Sequence, residues 1–209
     1  MRGQSHTFRA GDLVGGHVVL DLVNTVTARD GDPIDWFDSY ERVLEWAVLT
    51  AHFDGSLLAH LARLDEAEPG VGTLALRRLR DLRETIHDVL AATIRDGTAP
   101  EKRLRGLEAH WKEAVAVARL TISDHHTRLE LSVESSRLDY LRHELALRAL
   151  DLLRTLPQTR TRICAATNCG WLFIDRSKAG RRRWCDMATC GNAAKSKRHY
   201  ERKRAGMEI

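Results

Sequence analysis

All four cysteines of this 209-residue chain fall between positions 164 and 190. They form two equal pairs, Cys164-AATN-Cys169 and Cys185-DMAT-Cys190, separated by fifteen residues. A secreted disulfide scaffold would be shorter and denser in cysteine. The first ten residues, MRGQSHTFRA, offer no apolar core for a secretory signal, so a cytoplasmic setting with reduced thiols is the expectation. Thiols clustered in such a setting point to a metal. Zinc takes four ligands at tetrahedral corners, and a short loop brings two thiolates to adjacent corners. Cys164, Cys169, Cys185 and Cys190 are therefore the expected ligands of one structural zinc ion. Four thiolates close the coordination shell and leave no position for water or substrate. An iron–sulfur cluster uses the same ligand set, and the spacing alone leaves that alternative open.

Charge is distributed as unevenly as cysteine. The chain carries a net +4, yet residues 160–204 hold 13 Lys+Arg against 3 Asp+Glu, whereas residues 1–159 hold 20 against 25. An acidic body thus bears a basic tail, and the cysteines sit inside that tail. Such asymmetry points to a polyanionic partner for the basic part. Arg181, Arg182 and Arg183 precede the second cysteine pair, and Lys195, Lys197, Arg198 and Arg202 follow it on a helix-compatible stretch. A metal-fixed scaffold that presents these side chains suits phosphate contact, and arginine suits bidentate contact with guanine. No run approaches the roughly 18 apolar residues of a membrane span.

Ahead of the tail the pattern is mainly helical. Val19, Leu22, Val23 and Val26 follow helical spacing, although the alternation Val18, Leu20, Leu22 also permits a strand. Ser39 and Ser56 are expected helix caps, Thr73 opens a long helix that Gly97 ends, and Thr98 to Glu101 reads as a capping box. Residues 119–133 alternate as in a β-hairpin with Asp124, His125 and His126 at its turn, and Ser135 or Ser136 then caps a leucine-rich helix that Pro157 closes. Within the tail, Trp171–Ile174 and Arg181–Trp184 suit two strands joined by DRSKAG. The expected fold is mainly α (α+β). A helical domain with a small hairpin spans residues 1–157, and a treble-clef-like four-cysteine finger with a basic C-terminal helix spans 158–209.

Cys164, Cys169, Trp171-Leu-Phe173, Asp175-Arg-Ser177, Arg183-Trp-Cys185 and Cys190-Gly-Asn192 together resemble the signature of the CGNR zinc fingers. The family's final arginine is replaced here by Ala193. Leu20-Asp-Leu-Val-Asn-Thr25 and, more weakly, Leu79-Arg-Asp-Leu-Arg83 resemble the ABATE domain that accompanies this finger. The resemblance implies a stress-responsive transcription regulator, with the finger on DNA and the body as a small-ligand sensor.

The polar residues Asp21, Asn24 and Thr25 stand inside an apolar run. Read functionally, they line a ligand pocket with Arg80 or Arg83 as anion partner; read structurally, they cap the element and pair locally. The leading expectation is a DNA-binding regulator whose N-terminal domain senses a small effector or forms a homodimer. An RNA-binding or ribosome-associated zinc module is the alternative. An enzyme is the third reading, and the chain lacks the G-x-S-x-G, P-loop, G-x-G-x-x-G and H-E-x-x-H motifs that would favour it.

Overall fold

The computed structural model describes residues 6–123, 126–157 and 159–205. Its elements, in chain order, are α1 (Val18–Val23), β1 (Val26–Thr27), β2 (Ile34–Asp35), α2 (Tyr40–Thr50), α3 (Gly55–Ala67), α4 (Pro69–Asp96), α5 (Glu101–Val117), β3 (Arg119–Ser123), β4 (His126–Glu130), α6 (Val133–Ser136), α7 (Tyr140–Thr155), β5 (Thr161–Ile163), β6 (Leu172–Ile174) and α8 (Asn192–Ala205). The mainly α fold with small antiparallel sheets is as the sequence implies. Each sheet is a two-stranded pair: β1 with β2, β3 with β4, and β5 with β6. The residues divide into two compact units, and the division is not linear: Met1–Leu13 with Trp36–Leu156 form one, Val14–Asp35 with Pro157–Ile209 the other. Packing thus adds the LDLVNT segment to the cysteine-bearing unit rather than to the helices that follow it.

Helix boundaries follow local chemistry. Ser39 accepts from the Arg42 amide and starts α2, and Gly97 at φ +74° ends α4. Asp54, not Ser56, caps α3, because its carboxylate reaches the Leu57 amide two residues nearer the preceding loop. Pro69 opens α4 directly after α3 rather than a loop before Thr73, since proline's fixed φ and missing N–H suit the first helical turn. Pro100 occupies the α5 cap with no side-chain bond, so the box from Thr98 does not form. Ser132 caps α6, and α7 begins only at Tyr140 after a turn of tighter helix. In the hairpin Leu120 pairs with Leu129 and Ile122 with Thr127, and Leu120 and Ile122 are exposed. Asp124 and His125 lie outside the described residues.

Leucines of α4 and α7, with Phe37 and Trp46, fill the helical core. A buried polar cluster crosses it. Arg142 donates to Glu113 at 2.6 Å, to Asp139 at 2.8 Å, to His110 Nδ1 at 3.3 Å and to His143 Nε2 at 2.8 Å. Both imidazoles accept from a guanidinium, so each is neutral and carries its proton on the other nitrogen. His110 then donates to Asp81 at 3.1 Å and His143 to Ser136 Oγ at 3.1 Å. Burial, then the Arg142 charge, holds both histidines below the usual imidazole pKa.

Candidate metal centre and nucleic-acid interface

Cys164 follows β5, and its amide donates to the Trp171 carbonyl at 2.8 Å, so the first cysteine pair lies in the turn of the β5–β6 hairpin. Thr161–Ile163, not Arg181–Trp184, is the partner of β6. The reason lies at Asp175. Its carboxylate accepts the Ser177 amide at 2.9 Å and the Arg182 amide at 2.8 Å, which folds residues 175–182 into a loop where the sequence suggested a second strand. The Ser177 side chain, then the two backbone amides and nearby Arg162, hold this carboxyl down at about 2 against its burial. Cys185 and Cys190 flank the turn that leads into α8, where Asp186 accepts from the Thr189 amide at 2.8 Å.

The four sulfurs converge, all within 4.8 Å of one another. Cys169 and Cys185 stand 3.7 Å apart, and Cys185 and Cys190 stand 3.5 Å apart. A tetrahedron with zinc–sulfur bonds of about 2.3 Å has edges of about 3.8 Å, so the donor set fits zinc. Three of the four cysteines are buried, and Cys164 Sγ accepts the Cys185 amide at 3.3 Å. Sulfurs this close resist joint ionisation. The hydrogen bond from Cys169 pulls Cys164 down, the same bond pushes Cys169 up to about 12, and Cys164 and Cys169 together push Cys185 up. A divalent cation reconciles four thiolates, and its binding releases their protons. The site is a structural zinc site: all four donors are protein sulfurs, which leaves no open position for chemistry.

The segment that carries Asp21, Asn24 and Thr25 is built into this unit. Asn24 is 1% exposed and pairs with the Leu172 backbone like a neighbouring strand. Its Nδ2 donates to the Leu172 carbonyl and its Oδ1 accepts the Leu172 amide, both at 2.9 Å. Thr25 Oγ1 donates to the Leu22 carbonyl at 2.7 Å. Asp21 accepts the Gly15 amide at 2.8 Å, and burial, opposed by that bond, raises its pKa to about 6. Gly15 in turn accepts from the Ile174 amide at 2.9 Å, and a Cβ at this glycine would stand 2.6 Å from Leu20 Cβ. Trp171 Nε1 donates to the Val26 carbonyl at 3.0 Å. Arg83 belongs to the helical unit, where it is buried, bonds Glu84 at 2.8 Å and lies over the Phe37 ring. Arg80 donates to the Phe37 carbonyl in the same unit.

The basic residues divide by environment. Arg182 is tied down: its Nε donates to the Trp184 carbonyl at 2.8 Å and its guanidinium lies 4.6 Å from the Phe173 ring centroid. Arg181 and Arg183 are exposed, with Arg183 against the Trp184 ring. On α8, Lys195, Lys197, Arg198, Arg202 and Lys203 are all exposed, and no ion pair joins any of them among the described residues. A groove of about 210 Å³ runs between the first cysteine loop and α8, lined by Ala165, Ala166, Thr167, Ala193, Ala194, Lys197, Arg198 and Glu201. Sequence reading missed this groove, although the alanines that replace and follow the family arginine were a visible signal of open space beside the helix.

No helix among the described residues is long and apolar enough to cross a membrane. No curated protein matches the chain. Two family models do. The CGNR zinc finger matches residues 160–203, over the cysteine unit and α8. The ABATE model, described as "Putative stress-induced transcription regulator", matches residues 16–156. With that match over about two thirds of its length, the chain belongs to the ABATE family, and it carries a CGNR zinc finger beyond the matched region.

Proposed function

We propose that this protein is a DNA-binding transcription regulator that grips duplex DNA with α8 and the exposed arginines before it. The observation that carries the proposal is the state of α8. Five exposed cations stand on a helix that is polar all round, with no counter-charge paired to them among the described residues. A polar helix of 14 residues is marginal in water by itself. The zinc site anchors its first turn, and a polyanion supplies the missing counter-charge along the rest. Arg181 and Arg183 extend the basic surface, while Arg182 supports the finger from within. The helical unit is the regulatory input in this reading, through an effector or through a second copy; the exposed Leu120 and Ile122 of its hairpin suit the latter.

The test is binding of the zinc-loaded full chain to duplex DNA across a salt series. With about six phosphates neutralised, the log–log slope is about −5. Absence of binding to any duplex at low salt refutes the proposal. Structured RNA that outcompetes duplex DNA replaces it with RNA recognition, for which Tyr200, 63% exposed on α8, is the available stacking surface.

A further inference from the structure

The residues on α8 are not equivalent towards a nucleic acid. Glu201 is the only acid on the helix, it is exposed, and no ion pair neutralises it among the described residues. A carboxylate is repelled by a phosphate backbone, so an α8 that binds DNA turns the Glu201 face away from phosphates. At about 100° per residue, Ala193, Ala194, Lys197, Arg198 and Glu201 share one face of the helix. Lys195, Arg202 and Lys203 lie outside that sector. The Glu201 face is the one that borders the groove against the first cysteine loop.

That groove is lined by four alanines and a threonine together with two cations and one anion. A phosphate clamp would carry cations alone. Mixed donors and acceptors over small apolar side chains match the major-groove edges of base pairs. There a carboxylate accepts from the cytosine amino group, arginine donates to guanine, and alanine meets the thymine methyl.

We infer that the groove between the first cysteine loop and α8 reads base edges in the major groove of DNA, with Glu201 as a specificity-determining residue that accepts from a cytosine amino group. Arg202 and Lys195, which follow the Arg198 edge of that face, then hold phosphates on one flank. Ala193 and Ala194 keep the floor open, so an arginine at position 193 would fill the space that a base edge occupies. This inference rests on the DNA-binding reading above.

The test is selection of preferred sites from a random duplex library by the zinc-loaded full chain, its Glu201→Gln variant and its Lys195→Ala variant. The parent protein selects a motif with cytosine at one position, and replacing that cytosine weakens binding roughly tenfold. Glu201→Gln loses the cytosine preference while its affinity for unselected DNA is retained or rises, because a negative charge is removed. Lys195→Ala keeps the motif and weakens all sequences together. A motif unchanged in Glu201→Gln, with binding intact, overturns the base-reading assignment and leaves DNA binding standing. Failure of the parent chain to bind any duplex overturns both.

Discussion

Replacing Asn24 by alanine removes a side chain that pairs with both backbone groups of Leu172. Asn24 is 1% exposed and Leu172 is fully buried, so water cannot take over the lost bonds. The variant leaves the Leu172 amide and carbonyl unpaired at this edge of β6, each of which made a 2.9 Å bond. A buried polar group left without a partner costs about 1–3 kcal/mol, so two such groups cost at least about 2 kcal/mol. In a small zinc unit, folding and metal binding are one equilibrium. The loss therefore appears as weaker zinc binding, and about 2 kcal/mol is roughly 30-fold in affinity. The assay is competition for zinc between the full chain and a chromophoric chelator, read beside far-ultraviolet circular dichroism. Asn24→Ala is expected to surrender zinc at a much lower chelator concentration with the helical signal largely kept. A chelator midpoint within about threefold of the parent would refute the claim that residue 24 completes the finger.

Cys164→Ser removes one of four sulfur donors, so zinc per chain by elemental analysis falls well below one while the helices of the other unit persist. The Arg142 cluster gives a pH signature. His110 and His143 hold fewer protons folded than unfolded, since burial and Arg142 depress them. Their contribution to stability is complete above the unfolded value near 6.5 and is lost as pH falls below it. The melting temperature of the helical unit is expected to drop between pH 7 and pH 5. His143→Gln should flatten that drop, and an equally steep fall in the variant would place the pH dependence elsewhere. Arg202→Ala removes a flanking cation from α8, so the salt slope of DNA binding should lose about one unit. An unchanged slope moves the phosphate contacts off α8.

What the sequence made legible is what depends on neighbours along the chain. The cysteine pairs, the Ser39 cap, the Gly97 stop and the 119–130 hairpin all follow from spacing within a few residues. Asn24 resisted that reading because its partner, Leu172, lies 148 residues away. The β5 strand escaped notice because it is three residues long, and the apolar Trp171–Ile174 run offered no sign of which segment pairs with it. Arg142 reads as a surface residue by type, yet it stands four residues after Leu138 and three before Leu145, on the apolar face of its helix. That position was the available sign of a buried charge. For the nucleic-acid residues, the sequence supplied the cations but not their environments, so Arg182 looked equivalent to Arg181 until its contacts with Phe173 and Trp184 were known.

The pairing of residue 24 with residue 172 also sets an order of events at synthesis. A ribosome adds roughly 5–20 residues per second, so the N-terminal segment of the finger unit emerges on the order of ten seconds before the strand it pairs with. During that interval the helical unit has been completed, while the apolar VVLDLV segment waits for a partner that has not yet been made. The last cysteine, Cys190, comes later still. Premature termination anywhere between residues 36 and 172 therefore yields a chain with an orphaned apolar segment. Such fragments are natural substrates for chaperones and proteases, whatever the stability of the helices they contain.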